Sequence, residues 1–208
     1  MPVLIRSNTY ALQLLNMLHK VVIEEGPAVE PLSITEANTH LHVSGQDTYV
    51  TALISVARRS IERYLKRTLI TTTYTAYADK WEGVFTLPLP TLQSVESVKY
   101  YNNEGVLTTL SENENYWVVN TDDPGQIVKK YDVTYPELQD GRPDAIEIAY
   151  TAGYGDAASD VPEDIRHAMK LLIGNYYEQR SDIVVGSNAG RIPNYISDLI
   201  HSYRIYEF

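Results

Sequence analysis

The chain reads as an α+β protein: a helical core interrupted by an inserted antiparallel β subdomain. Three observations carry that reading. Apolar residues recur at helical spacing over 47–67 and again over 162–180, giving two long helices. Between them, over 69–150, Thr- and Tyr-rich runs alternate and are punctuated by Gly, Pro, Asn and Asp, as short strands and turns require. Neither helical stripe can bury its face alone, so the two must pack together across the insertion. The expected organisation is an extension over 1–26, a core from 27–68 and 151–208, and a β subdomain over 69–150.

Taken in order, residues 10–23 carry Leu14, Leu15, Leu18, Val21 and Val22 at helical spacing, and Gly26-Pro27 would end that helix. Such a helix either lies as an arm on a neighbouring subunit or packs on its own domain. Ser33-Ile-Thr-Glu36 is a capping box, in which the serine accepts from a backbone N–H and the glutamate reaches back. Ile34, Ala37 and Leu41 share a face, and Gly45 breaks the helix. Asp47 is a good N-cap for the next helix, where Val50, Leu53, Ile54, Ala57, Ile61, Tyr64 and Leu65 form the stripe. Arg58, Arg59, Arg63, Lys66 and Arg67 gather towards its end, where cations suit the helix dipole.

Strands are expected at 71–78, 84–87, 95–101, 106–110, 116–120, 127–128 and 145–150, with turns at 102–105 and 122–125. Residues 151–157 lead back to helix. Val161-Pro-Glu-Asp164 opens the second long helix with proline and acids in its first turn, and Ile165, Ala168, Met169, Leu172, Ile173, Tyr176 and Tyr177 line it. A loop over 183–193 precedes a short helix at 194–204. The tail Ile205-Tyr-Glu-Phe208 either docks on a partner or folds back on its own core.

Composition narrows the function. With 208 residues and 44% hydrophobic content the chain is globular and holds one ordinary domain or a small domain with an insertion. It has no cysteine, which excludes disulfides and thiolate chemistry and leaves the compartment undecided. A net charge of −10 repels nucleic-acid backbone unless a local basic patch overrides it. No apolar run reaches the roughly 20 residues of a membrane span, and residues 1–22 do not read as a signal peptide. Seventeen tyrosines against two phenylalanines suit either partly wet interfaces or strands.

No pattern specifies catalysis, metal or cofactor. His40 and His42 are two apart and fall on different helix faces, unlike an i, i+4 metal pair. Gly153-Tyr-Gly155 lacks the lysine and spacing of a phosphate loop and fits a turn. No serine sits in a nucleophile elbow. Asp122/Asp123 and Glu163/Asp164 belong to a turn and a helix start. The basic cluster Arg58, Arg59, Arg63, Lys66 and Arg67 suits a solvated face or ion pairs to an acidic neighbour in an oligomer, more than a grip on phosphates.

In order and spacing, several motifs resemble the head–tail connector (adaptor) proteins of tailed bacteriophages and gene transfer agents. They are Glu30-Pro-Leu-Ser-Ile-Thr-Glu-Ala-Asn-Thr-His-Leu-His-Val43, then Leu53-Ile54, Ala57-Arg58, Glu62 and Tyr64, Leu87-Pro88 with Leu92-Gln-Ser-Val95, Arg142-Pro-Asp-Ala-Ile146, Tyr150-Thr-Ala-Gly-Tyr-Gly155, Val161-Pro-Glu-Asp-Ile165 and Tyr176-Tyr-Glu-Gln-Arg180. The likeness spans about 27–204. Two departures stand out: residues 1–26 extend beyond the usual start, and the usual Y-T-G-R helix end is Tyr64-Leu-Lys-Arg67 here.

The resemblance implies a structural virion protein and no enzyme, metal or cofactor. It implies a homo-oligomeric ring of 12 copies beneath the portal protein, above a stopper or tail-completion protein. Double-stranded DNA would pass through its channel without specific binding, and no membrane is involved. The place is the head–tail interface of a virion assembled in the host cytoplasm. Arg58, Arg59, Arg63, Lys66 and Arg67 are candidates for the subunit interface, and Tyr203, Arg204, Ile205, Tyr206 and Phe208 for portal docking. Rival readings are a protein- or carbohydrate-binding module on the Tyr-rich sheet, and a hydrolase with a dispersed site.

Overall fold

The computed structural model describes residues 18–178 and 192–206. Helices and antiparallel sheets make a mixed α/β fold with two apolar cores. The helical core uses α1 (Ile34–Leu41), α2 (Asp47–Leu65), α3 (Glu163–Glu178) and α4 (Asn194–Ile200). The box at the start of α1 closes as the residues require: Glu36 N–H donates to Ser33 Oγ at 3.2 Å, and Ser33 N–H donates to Glu36 Oε2 at 2.9 Å. Helix α2 buries Val50, Leu53, Ile54, Ala57, Ile61 and Leu65; α3 buries Ile165, Ala168, Met169, Leu172 and Ile173. Both stripes belong to one cluster, completed by Leu69, Ile70, Ile196 and Ile200.

The strands are β1 (Lys20–Glu25), β2 (Thr72–Ala78), β3 (Val84–Thr86), β4 (Leu92–Tyr101), β5 (Leu107–Leu110), β6 (Tyr116–Val119), β7 (Gln126–Lys129) and β8 (Ile146–Ala152). They form a five-stranded sheet, order β1-β2-β8-β4-β5, and a three-stranded sheet, order β3-β7-β6, all pairs antiparallel. Register explains the core. Tyr74 lies opposite Tyr150, Ala76 opposite Ile148 and Ala78 opposite Ile146, so one face of β2 and β8 is buried throughout. Phe85, Tyr116 and Ile127 of the small sheet join the same cluster.

Two expectations change here. Residues 10–23 do not all form a helix: 20–25 are strand β1, and 10–17 lie outside the described residues. Val21-Val22-Ile23 is a β-branched run, stiff at χ1 and favoured in strands. It pairs with β2 through Val21↔Ala76 and Ile23↔Tyr74. The 1–26 extension is therefore woven into the sheet over its last residues. Its start is pinned by Asp144, which accepts from Lys20 Nζ at 2.9 Å and meets His19 Nε2 at 2.6 Å. The Lys20 hydrogen bond, then that of His19, holds the Asp144 carboxyl below its usual range.

The second change concerns the tyrosines. Tyr74, Tyr100, Tyr116 and Tyr150 are buried, with the rings of Tyr74 and Tyr150 stacked at 5.4 Å. Trp81 closes the far end against Tyr135, Tyr100 and Phe85. These four tyrosines build the core, while Tyr49, Tyr131, Tyr195 and Tyr206 are exposed. Burial pushes the Tyr116 phenol up to about 12.

Candidate assembly surfaces

The end of α2 is where the helical core, the sheets and the C-terminal stretch meet. Lys66 takes the left-handed conformation there, φ 55° and ψ 41°, and closes the helix with its N–H on Glu62 O. This is the position at which the resembling pattern has glycine. The turn is thus the one that glycine serves, made here by a residue with a Cβ.

Arg67 follows. Its Nε donates to Tyr203 O at 2.6 Å, and its Nη1 donates to Asp123 Oδ2 at 2.6 Å and Thr91 Oγ1 at 3.0 Å. One side chain, 11% exposed, joins the helix end, the C-terminal stretch, the start of β4 and the β6–β7 turn. Just beyond it, Thr68 Oγ1 meets Tyr74 OH at 2.8 Å, linking the two cores.

Arg58 is also spent within its own chain. Nε donates to Glu30 Oε2 and Nη1 to Glu62 Oε2, each at 2.8 Å. Ser55 Oγ donates to Glu30 Oε1, and Glu62 Oε1 accepts the Leu69 N–H. The network clips residue 30 to α2 and α2 to the turn after it. Burial raises the Glu62 carboxyl above its ordinary value, outweighing the pull of Arg58.

The basic cluster therefore divides. Arg58 and Arg67 are 13% and 11% exposed and hold the fold together through contacts within their own chain. A guanidinium already shared between two acceptors gains little from a third. Arg59 and Arg63 are exposed. Arg59 touches only its own helix among the described residues, with Nε to Ser55 O at 3.3 Å. Lys66 is half-buried at the cap.

The C-terminal stretch folds back on the helical core as far as it is described. Ile205 N–H donates to Leu65 O at 3.0 Å, Tyr203 OH to Asp164 Oδ2 at 3.0 Å, and the Arg204 guanidinium lies over the rings of Tyr64 and Tyr206. Tyr206 OH meets His201 Nε2 at 2.6 Å and its side chain is exposed. Phe208 lies outside the described residues.

Charge is unevenly spread. Residues 69–150 hold thirteen Asp and Glu against five Lys and Arg, so the β insertion carries −8 of the net −10. The helical portion is close to neutral and presents exposed cations on α2. Among the described residues, His19, Asp79 and Asp144 are near enough to share a cation, yet Asp144 already accepts from Lys20 and contacts His19. No described helix is long and apolar enough to cross a membrane.

The turn over 153–155, weighed as a phosphate loop, is structural. Gly153 adopts φ 136°, and a Cβ there would lie 2.7 Å from backbone atoms of Ile70 and Thr71. Its N–H donates to Thr91 O and the Tyr154 N–H to Leu69 O. Close approach of two backbones is why glycine stands there.

The model of the head completion protein family matches residues 32–206. No curated protein matches the chain. Among solved structures, the chain is similar to one in the virion of a native gene transfer agent particle, at 22% identity and TM-score 0.72, covering 90% of this chain and 96% of that one. It is similar to a chain in the neck of an empty gene transfer agent particle computed with C6 symmetry, at 24% identity and TM-score 0.71, covering 90% and 97%. A chain in the neck of a native gene transfer agent particle computed with C12 symmetry matches at 25% identity and TM-score 0.65, again over 90% and 97%.

Proposed function

The chain belongs to the head completion protein family, and on that premise we propose that it is the head–tail connector of a virion neck, built as a ring of 12 copies around the DNA channel. The carrying observation is the shared fold over 90% of this chain and nearly the full length of the neck chains, one of them in a neck computed with C12 symmetry. Its role is structural, as a component of a phage or gene transfer agent particle.

In this reading residues 27–68 and 151–208 are the connector core, and 69–150 is the insertion carried on it. Arg59 and Arg63, with Lys66 beside them, meet acids of the next subunit, whose insertion has them in excess. The acidic insertion also repels the DNA backbone, so the channel wall does not retain it. The stretch Tyr203, Arg204, Ile205 and Tyr206, continued by Phe208, leaves the helical core to dock on the portal protein. A stopper or tail-completion protein closes the opposite side.

The test is to mix purified chain with its cognate portal protein and read the product by native mass spectrometry and negative-stain imaging, while probing purified particles for the chain. A portal-bound ring, and the chain in particles, is the expected result. Absence from particles together with no portal association would overturn the assignment.

A further inference from the structure

The β insertion carries two exposed apolar patches outside its core. The first is the outer face of the small sheet. Register places Val84 of β3 opposite Val128 of β7, and Val128 opposite Trp117 of β6, so the three side chains stand in one row across the sheet. The opposite face, with Phe85 and Ile127, is the buried one. Trp117 is 59% exposed, and Val84 is exposed in the same row. Lys130 places its Nζ 3.9 Å from the centre of the Trp117 ring, which gives the row a positive end.

The second patch is the tip of the β4–β5 hairpin. Val106 is 54% exposed, Leu107 is exposed next to it, and Glu104 is exposed on the same turn. Asn102 holds this tip in place. Its Oδ1 accepts from the N–H of Glu104 at 3.0 Å and of Val106 at 2.9 Å, and its backbone carbonyl accepts from Gly105 N–H at 2.8 Å. A turn held this way presents its side chains with little further ordering on binding.

The two patches are unlike and complementary. One is a flat face of tryptophan and valine with a lysine; the other is a narrow aliphatic knob with a carboxylate. The insertion has thirteen acids to five cations, so it repels a second copy of itself except where a cation such as Lys130 meets one of those acids. A partly exposed tryptophan is also the residue type that most often anchors an interface. We propose that the β4–β5 hairpin of a second copy seats its Val106 and Leu107 on the Trp117 face, with its Glu104 against Lys130. A contact between two different patches of one chain is head-to-tail, and repeated contacts of this kind close into a ring when the rotation allows. The closure rests on the connector reading, in which the insertion adds this junction to the one made by Arg59 and Arg63; the pairing itself does not.

The chain has no cysteine, so thiols can be placed without background. Val84→Cys and Val106→Cys put one thiol on each patch. Treated with a short bis-maleimide at high concentration, the full-length double variant should give a ladder of covalent multimers, extended when the portal protein is added. Each single variant should stay monomeric. An internal cross-link in the double variant would show that the patches meet within one chain, and dimers from a single variant would show a patch meeting itself; either overturns the proposal. A portal-bound ring without the ladder overturns it too, while leaving the connector reading intact. A ladder without portal binding supports the pairing and counts against the connector reading.

Substitutions in the double-cysteine background read the same contact through its chemistry. Trp117→Ala should cut the ladder about tenfold, with far-UV circular dichroism unchanged because the side chain lies outside the core. Lys130→Glu and Glu104→Lys should each cut it as well, since each sets like charges against one another. Combined in one chain they should recover much of it, because the pair is restored with its signs exchanged. A full ladder from Trp117→Ala, or no recovery in the combined chain, would sink the idea.

Discussion

At the scale of single residues, Lys66 and Arg58 separate two kinds of cation that look alike in the sequence. Lys66 sits at φ 55°, where an L-residue is strained by about 1–2 kcal/mol and glycine is not. Glycine loses more chain entropy on folding, so the two effects partly offset. Lys66→Gly should therefore raise stability by roughly 0.5–1 kcal/mol, read as a higher urea midpoint with an unchanged slope. An equal or lower midpoint would mean that the contacts of the lysine side chain outweigh the strain. Arg58→Ala should act the other way. It leaves Glu30 and Glu62 facing each other, half-desolvated, without their shared donor, and should cost about 2–3 kcal/mol. A midpoint within experimental error of the natural chain would contradict the role given to that network.

Among elements, α1 makes the clearest pH-dependent prediction. The Ser33 backbone N–H holds the Glu36 carboxylate below its ordinary pKa, aided by the Ser33 hydroxyl and the charges of Arg166 and Lys170. A depressed folded-state pKa means that the unfolded chain binds the proton more readily. The stabilisation is complete above the unfolded value of about 4.5 and is lost as pH falls through the folded one. Glu36 also accepts from Arg166 of α3, so the loss loosens the α1–α3 contact as well as the cap. Denaturation midpoints taken from about pH 6 down to about pH 3 should fall more steeply for the natural chain than for Glu36→Gln. Parallel curves would refute the assignment.

The capping box itself was legible because it is local: four residues contain all of its chemistry. The strands from 72 to 152 were legible for a similar reason. Their alternation and their Asn-, Asp- and Gly-rich turns are short-range signals, and Gly105 does adopt the positive φ of 76° that its turn implies. Strand β1 was not. Leu14, Leu15, Leu18, Val21 and Val22 satisfy a helical period, and the deciding partner, β2, lies some fifty residues away. The same limit applied to the basic cluster. Glu62 is one turn from Arg58 and visible, but Glu30, Asp123 and the Tyr203 carbonyl are brought in only by the fold.

For the whole molecule, the question is which charges remain for another subunit after the fold has used its own. Arg58 and Arg67 are committed internally, while Arg59 and Arg63 face outward on a near-neutral helical core beside an insertion of charge −8. If the next copy's acids meet that face, reversing both arginines replaces attraction by repulsion at every junction of the ring. Each junction repeats the defect, so a modest penalty per pair is multiplied around a closed assembly. Arg59→Glu with Arg63→Glu should therefore abolish portal-dependent rings in negative-stain images, while the denaturation midpoint stays within about 0.5 kcal/mol of the natural chain. Arg58→Glu is the control: it should lower the midpoint sharply, because it attacks the fold and not the junction. Raising salt from about 0.05 to about 0.5 M should weaken rings of the natural chain in the same direction. Rings that form normally from the doubly reversed chain would remove these arginines from the interface and leave the apolar surfaces of the helical core to make it.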